Sequence, residues 1–177
     1  MMKDNLKKHV ITALFAALTF AATMAVRIPT PGTNGYIHPG DALVILSGVI
    51  LGPSSGFLAA GIGSALADLL GGYFVYVPIT FLIKGLVALC SGLIFQKAGK
   101  HPRLRCPAVA AGGIADILLV AGGYCLCEAF LYGLPAALAG VPANLVQGVS
   151  GLIISLILYP VLSAIPDIRQ LMQPRIL

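Results

Sequence analysis

Residues 44–51 and 152–158 run without a charge and without polar–apolar alternation, and stretches like them recur along the whole chain. That feature decides the solvent. Each helical crossing of a bilayer takes about 20 mostly apolar residues. In lipid the backbone must satisfy its own hydrogen bonds, which leaves helices or closed barrels. Barrel strands alternate polar and apolar over about 10 residues, and these segments do not, so they read as helices. Composition agrees. Only 10% of the 177 residues are charged and 58% are hydrophobic, with a mean hydropathy of +0.97. A soluble domain carries roughly 25% charged residues. The expected class is an all-α integral membrane protein, a compact bundle forming a single domain over residues 1–177.

Six crossings are expected, over residues 9–28, 40–51, 54–70, 78–96, 107–132 and 137–165. The second is short and the sixth long enough to tilt. Merging the second and third around Gly52-Pro53 leaves five crossings and sends the C-terminus to the other side. Basic residues choose between these. Lys3, Lys7 and Lys8, then Lys97, Lys100, Arg103 and Arg105, then Arg169 and Arg175 cluster at segment ends, leaving only Arg27 and Lys84 elsewhere. Six crossings put those nine on one side, so by the positive-inside rule both termini are cytoplasmic. The clusters are short and abut apolar segments, which argues against a nucleic-acid partner. The first segment is longer than a signal-peptide core and has no Ala-x-Ala site before Arg27, so it is expected to remain in the protein.

Ionisable residues inside membrane helices are costly and need a reason. Asp41 is expected to open the second helix on the outer side, Asp68 to end near that side, and Lys84 to lie roughly 9 Å beneath it. Glu128 falls near the outer end of the fifth helix, and Asn144 and Gln147 lie roughly 9 to 14 Å down the sixth. With Arg27 they all map to one half of the bundle, and only Asp116 lies near mid-depth. Tyrosines share the asymmetry: Tyr36, Tyr73, Tyr76, Tyr124 and Tyr132 map outward, and Tyr159 inward. Two readings stand. The polar set either lines an outward-facing pocket for a small polar ligand, or forms ion pairs between helices, for instance Lys84 with Asp68 or Glu128. Likewise the rings either line the pocket or form an interfacial belt. A channel needs polar lining through both halves, which is lacking.

The connection over residues 29–39, rich in proline and glycine and carrying Tyr36 and His38, lies over this polar mouth. It serves as a lid or as a plain connector. In the first helix alanines recur at Ala13, Ala17, Ala21 and Ala25, a smooth face for a close helix neighbour, either inside the protein or on a partner. Gly56, Ala60, Ser64 and Ala67 make a similar run in the third.

Enzyme chemistry finds little support. The six acidic residues are scattered, His9, His38 and His101 lie at or outside membrane edges, and His-Glu-x-x-His is absent. Cys90, Cys106, Cys125 and Cys127 lack metal-site spacing. No cofactor or metal is expected. A membrane enzyme or a membrane assembly factor is the alternative to a solute-binding subunit, though an assembly factor has no need of the polar cluster.

Taken together, the alanine-every-fourth helix, Tyr36-Ile-His-Pro-Gly-Asp41, Ala67-Asp-Leu-Leu-Gly-Gly-Tyr73 and Pro78-Ile-Thr-Phe-Leu-Ile-Lys-Gly-Leu86 resemble the substrate-binding S components of energy-coupling factor (ECF) vitamin transporters. The likeness is to the riboflavin-type branch, which also includes hydroxymethylpyrimidine and pyridoxine carriers, and it is densest over residues 10–95. The resemblance implies a non-enzymatic, multi-pass subunit of a bacterial-type plasma membrane. It implies capture of a small water-soluble vitamin or precursor (pyridoxine, hydroxymethylpyrimidine or riboflavin type) near the outer face, under the first loop. It also implies ATP-driven uptake with a membrane coupling protein and two cytoplasmic ATPases. Ala13, Ala17 and Ala21 carry over to the docking face for the coupling protein, and Ala25 continues it. The fifth and sixth helices match less well, so Glu128, Asn144 and Gln147 are candidates on physical grounds alone, and the family pattern does not account for Asp116.

Overall fold

The computed structural model describes residues 2–30, 32–98 and 101–172; Pro31, Lys100 and Arg175 fall outside them. The chain forms α1 (Met2–Ala25), β1 (Ile28–Pro29), β2 (Tyr36–Ile37), α2 (Asp41–Leu51), α3 (Pro53–Gly71), α4 (Tyr76–Ala98), a 3-10 turn (Pro102–Leu104), α5 (Arg105–Tyr132), α6 (Leu134–Ala164) and α7 (Pro166–Leu171). Among the described residues five helical stretches are long and apolar enough to cross a membrane: Leu6–Ala25, Pro53–Gly71, Tyr76–Ala98, Pro102–Tyr132 and Leu134–Ala164. The protein is a multi-pass, all-α membrane protein.

The expected second crossing is where the structure departs most. Helix α2 has 11 residues, about 16 Å of rise, roughly half of a ~30 Å hydrocarbon core. It does not lie at the periphery. It packs against α1, α3, α4, α5 and α6, and ten of its residues are buried, which is why its sequence is apolar on all sides. Glycine makes that packing possible. The backbone of α2 at Gly48 lies directly on the Ala88 carbonyl of α4, and a Cβ on Gly56 of α3 would stand 2.6 Å from the Gly48 Cα.

Helices α2 and α3 are separate elements, not one kinked unit. Gly52 sits at φ +83°, where only glycine is comfortable, and Pro53 occupies the first turn of α3, where its missing N–H costs nothing. The chain therefore reverses there. Lys7 and Asp167 meet at 2.5 Å, so α1 begins and α7 lies at the same end of the bundle. That pair is exposed and contributes little stability; its value is geometric.

Helix α1 is the outermost element. It packs on α3 and α2 through Phe15, Thr19 and Thr23, all buried, whereas Ala13, Ala17, Ala21 and Ala25 are exposed. The alanine face thus plays no part in packing within this chain. The comparable run in α3, at Gly56, Ala60, Ser64 and Ala67, is buried.

Candidate ligand-binding site

The connection from α1 to α2 does more than link them. Ile28 pairs with Ile37, and Pro29 with Tyr36, in a two-rung antiparallel hairpin. The amide of Thr30 donates to the Gly35 carbonyl at 3.1 Å, and the hydroxyls of Thr30 and Thr33 meet at 2.8 Å. This small folded cap dips into the bundle mouth, burying Thr30 and His38. Its lower end delivers Asp41 onto Lys84, with Nζ donating to Oδ1 at 2.5 Å and neither side chain exposed. Lys84 is the ninth residue of α4, so the pair lies about 12 Å along that helix from its start. Asp41 is therefore deep in the bundle, not at its outer rim, and that explains why α2 is short. The partner of Lys84 is Asp41, not Asp68 or Glu128.

Around this pair the loop is pinned to α6. Gln147 donates from Nε2 to the second Asp41 oxygen at 2.8 Å and accepts the His38 amide on Oε1 at 3.0 Å. The Gly40 amide donates to His38 Nδ1 at 3.1 Å. Burial lowers the His38 imidazole from its ordinary value to about 4, so the ring is neutral near pH 7 and Nδ1 is free to accept.

Above the ion pair, two carboxyls face inward. Tyr36 donates to Asp68 Oδ1 at 2.7 Å; burial, then the neighbouring carboxylate, raises its phenol and keeps it a donor. Tyr76 donates to Glu128 Oε1 at 2.9 Å. The hydroxyls of Thr80 and Tyr124 meet at 2.9 Å, joining α4 to α5. Asp68 Oδ2 and Glu128 Oε2 are buried without a hydrogen-bond partner among the described residues. Asp68 is set by the end of α3, where Gly72 adopts a left-handed turn. The Tyr73 amide then returns to the Asp68 carbonyl at 2.8 Å, a glycine-terminated helix end that holds carboxyl and ring together.

These groups enclose a cavity of about 20 Å³, enough for one water-sized molecule. Of the candidates, Tyr36, His38, Asp68, Tyr76, Glu128, Asn144 and Gln147 line it. Asp41 and Lys84 do not; they seal its floor, with Lys84 Nζ 5.6 Å from the Tyr124 ring centroid. Tyr73 stands outside, its ring 4.6 Å from that of Tyr36, where it borders an open cleft of about 430 Å³. Gly35 and Tyr76 border both spaces and so divide them. Thr30, Thr80 and Tyr124 also line the cavity. Thr80 was findable: Tyr76, Thr80 and Lys84 recur every fourth residue on one face of α4, as Tyr124 and Glu128 do on α5. Asp116 is buried with both oxygens unpartnered and lies outside the cavity lining.

Comparison with known proteins gives the arrangement a family. Residues 3–164 match the model of the ECF-type riboflavin transporter S component. An uncharacterized protein of Pyrococcus woesei is 39% identical over 132 residues, 75% of this chain and 85% of its own length. The thiamine precursor transporter HmpT of Lactococcus lactis is 27% identical over 163 residues, covering 92% of this chain and 91% of its own. A solved S component of a bacterial ECF transporter superposes with a TM-score of 0.66 at 20% identity, over 90% of this chain and 97% of that one; at that identity the likeness is one of fold. Family and fold are those of a transport subunit and not of an enzyme. This chain belongs to the ECF-type riboflavin transporter S component family.

Proposed function

We propose that this chain captures a small, flat, water-soluble vitamin or vitamin precursor in the cavity beneath the hairpin of residues 28–37, at the outer face of a bacterial-type plasma membrane. The observation that carries the reading is the pair of carboxyls, Asp68 and Glu128, that line the cavity, each with one buried oxygen left without a hydrogen-bond partner among the described residues. Buried polar atoms are nearly always satisfied, so a cavity-facing pair suits a ligand that supplies the donors. Tyr36, Tyr76 and Tyr124 add ring faces for a flat molecule. The pyridoxine, hydroxymethylpyrimidine and riboflavin types all remain within this class, and the HmpT relative is named for a thiamine precursor.

As it stands the cavity is far smaller than the several hundred Å³ of a small-molecule site, whereas the adjoining cleft is of that size. Entry therefore requires the hairpin to lift and the two spaces to merge across Gly35 and Tyr76. The hairpin is a lid in this account, with Tyr36, His38 and Gln147 as its latch.

Delivery inward falls to partners: a membrane coupling protein and two cytoplasmic ATPases. The exposed face of Ala13, Ala17, Ala21 and Ala25 is the surface we assign to the coupling protein. Cells expressing the chain together with such a module should accumulate a labelled vitamin in an ATP-dependent way, while the chain alone binds without accumulation. Accumulation by the chain without ATPases, or failure of every vitamin tested, would overturn the reading.

A further inference from the structure

We infer that the ligand is a cation: a small flat heterocycle with a protonated amine or ring nitrogen, received jointly by Asp68 and Glu128. This rests on the cavity being the ligand site and goes further, to the charge of what it holds.

Both carboxyls are nearly sealed, at 4% and 3% exposure. Each has one oxygen occupied, Asp68 Oδ1 by Tyr36 at 2.7 Å and Glu128 Oε1 by Tyr76 at 2.9 Å. Each has the other oxygen buried and unpartnered. Glu128 Oε2 is left uncovered by a glycine: a Cβ on Gly140 would stand 3.2 Å from it.

Among the described residues no lysine or arginine lines the cavity beside these oxygens; Lys84 and Arg27 act on Asp68 from outside its wall. The Lys84 ammonium is bound to Asp41 at 2.5 Å, with neither group exposed, and lines no part of the cavity. The Arg27 guanidinium lies 5.6 Å from the Tyr36 ring centroid, is exposed, and is likewise absent from the lining. Among the described residues the cavity wall supplies carboxyls, hydroxyls, amides and one neutral imidazole, and no lysine or arginine.

Leaving a buried acceptor unmatched is costly, more so when it is charged. A ligand with an N–H for each free oxygen removes that cost, and a cation does so through charge-assisted bonds roughly twice as strong as neutral ones. Tyr76 and Tyr124, with ring centroids 6.3 Å apart, offer faces that also favour positive charge. An anion such as a phosphate ester would meet two carboxyls with no basic residue beside them in the cavity wall, which disfavours phosphorylated forms.

Matched compounds test this on the purified protein. Pyridoxamine, pyridoxine and pyridoxine phosphate share one ring and differ in carrying an amine, a hydroxyl or an ester; the aminomethyl and hydroxymethyl forms of one pyrimidine make a second pair. Calorimetry at neutral pH should show the amine-bearing member of at least one series binding about tenfold or more tighter than its hydroxyl counterpart, and no binding of the phosphate. Asp68→Asn and Glu128→Gln keep side-chain shape, and each should remove most of that preference. Equal or tighter binding of the hydroxyl or phosphate member in every series that binds overturns the charge assignment while leaving the site intact. A preference that survives in both variants overturns the roles of Asp68 and Glu128. Binding of no member of either series, nor of any other vitamin, removes the ligand site itself.

Discussion

Lys84 of α4 and Asp41 of α2 meet at 2.5 Å with neither side chain exposed, and through Gln147 this pair is tied to the loop above it. The contact fixes where α2 begins, how deep the hairpin sits and what closes the floor of the cavity. Removing one partner strands a buried charge, which costs about 3–5 kcal/mol, whereas replacing both by apolar groups is near neutral. Lys84→Met or Asp41→Leu alone should lower the thermal midpoint of the purified protein markedly, and the double variant should recover most of the loss. Additive losses in the double variant would mean the two residues act independently.

The alanine face makes a second prediction. Because Ala13, Ala17, Ala21 and Ala25 are exposed and α1 packs through Phe15, Thr19 and Thr23, a bulky group on that face meets nothing within the chain. Ala17→Trp should leave the thermal midpoint and ligand affinity unchanged while abolishing co-purification with the coupling protein. Loss of ligand binding together with assembly would contradict that division of roles.

A third concerns pH. The folded His38 titrates near 4 because of burial, against about 6.5 in the unfolded chain. Between these values the unfolded state binds the extra proton, so stability rises with pH across the window and is lost as pH falls through it. The full effect is on the order of 3 kcal/mol or slightly more. Chemical-denaturation profiles from pH 7 to pH 4 should steepen accordingly, and His38→Asn, whose carbonyl can replace Nδ1 as acceptor for the Gly40 amide, should flatten them.

Asp116 makes a fourth. Its oxygens are buried without partners among the described residues and it lines neither the cavity nor the adjoining cleft, so an apolar residue of similar size should relieve about 1–3 kcal/mol of unmatched desolvation. Asp116→Leu is expected to raise the thermal midpoint with ligand affinity unchanged. Loss of affinity would place Asp116 in the site after all.

Much of this was legible in the residues. Apolar runs placed the helices, and basic clusters put both ends of the chain on one side, where Lys7 and Asp167 meet. The polar set converged because each helix carries its polar residues towards one end. What sequence could not supply was depth. Asp41 looked like a rim residue because it starts a helix, but a folded hairpin pushes that start about 12 Å inward. The same displacement chose Asp41 over Asp68 and Glu128 as the partner of Lys84, and so freed those two carboxyls for the cavity. The outward direction of the alanine face was equally out of reach, since spacing defines a face but not what it meets.

Ligand capture is tested by a calorimetric titration of the purified subunit, without partner proteins, against vitamins of the pyridoxine, hydroxymethylpyrimidine and riboflavin types. One ligand is expected to bind per chain with sub-micromolar affinity, and that affinity should be lost when Asp68 and Glu128 are both replaced by alanine in a protein that remains folded. Binding undiminished in that double variant would contradict that expectation, as would the absence of any tight complex with the subunit alone.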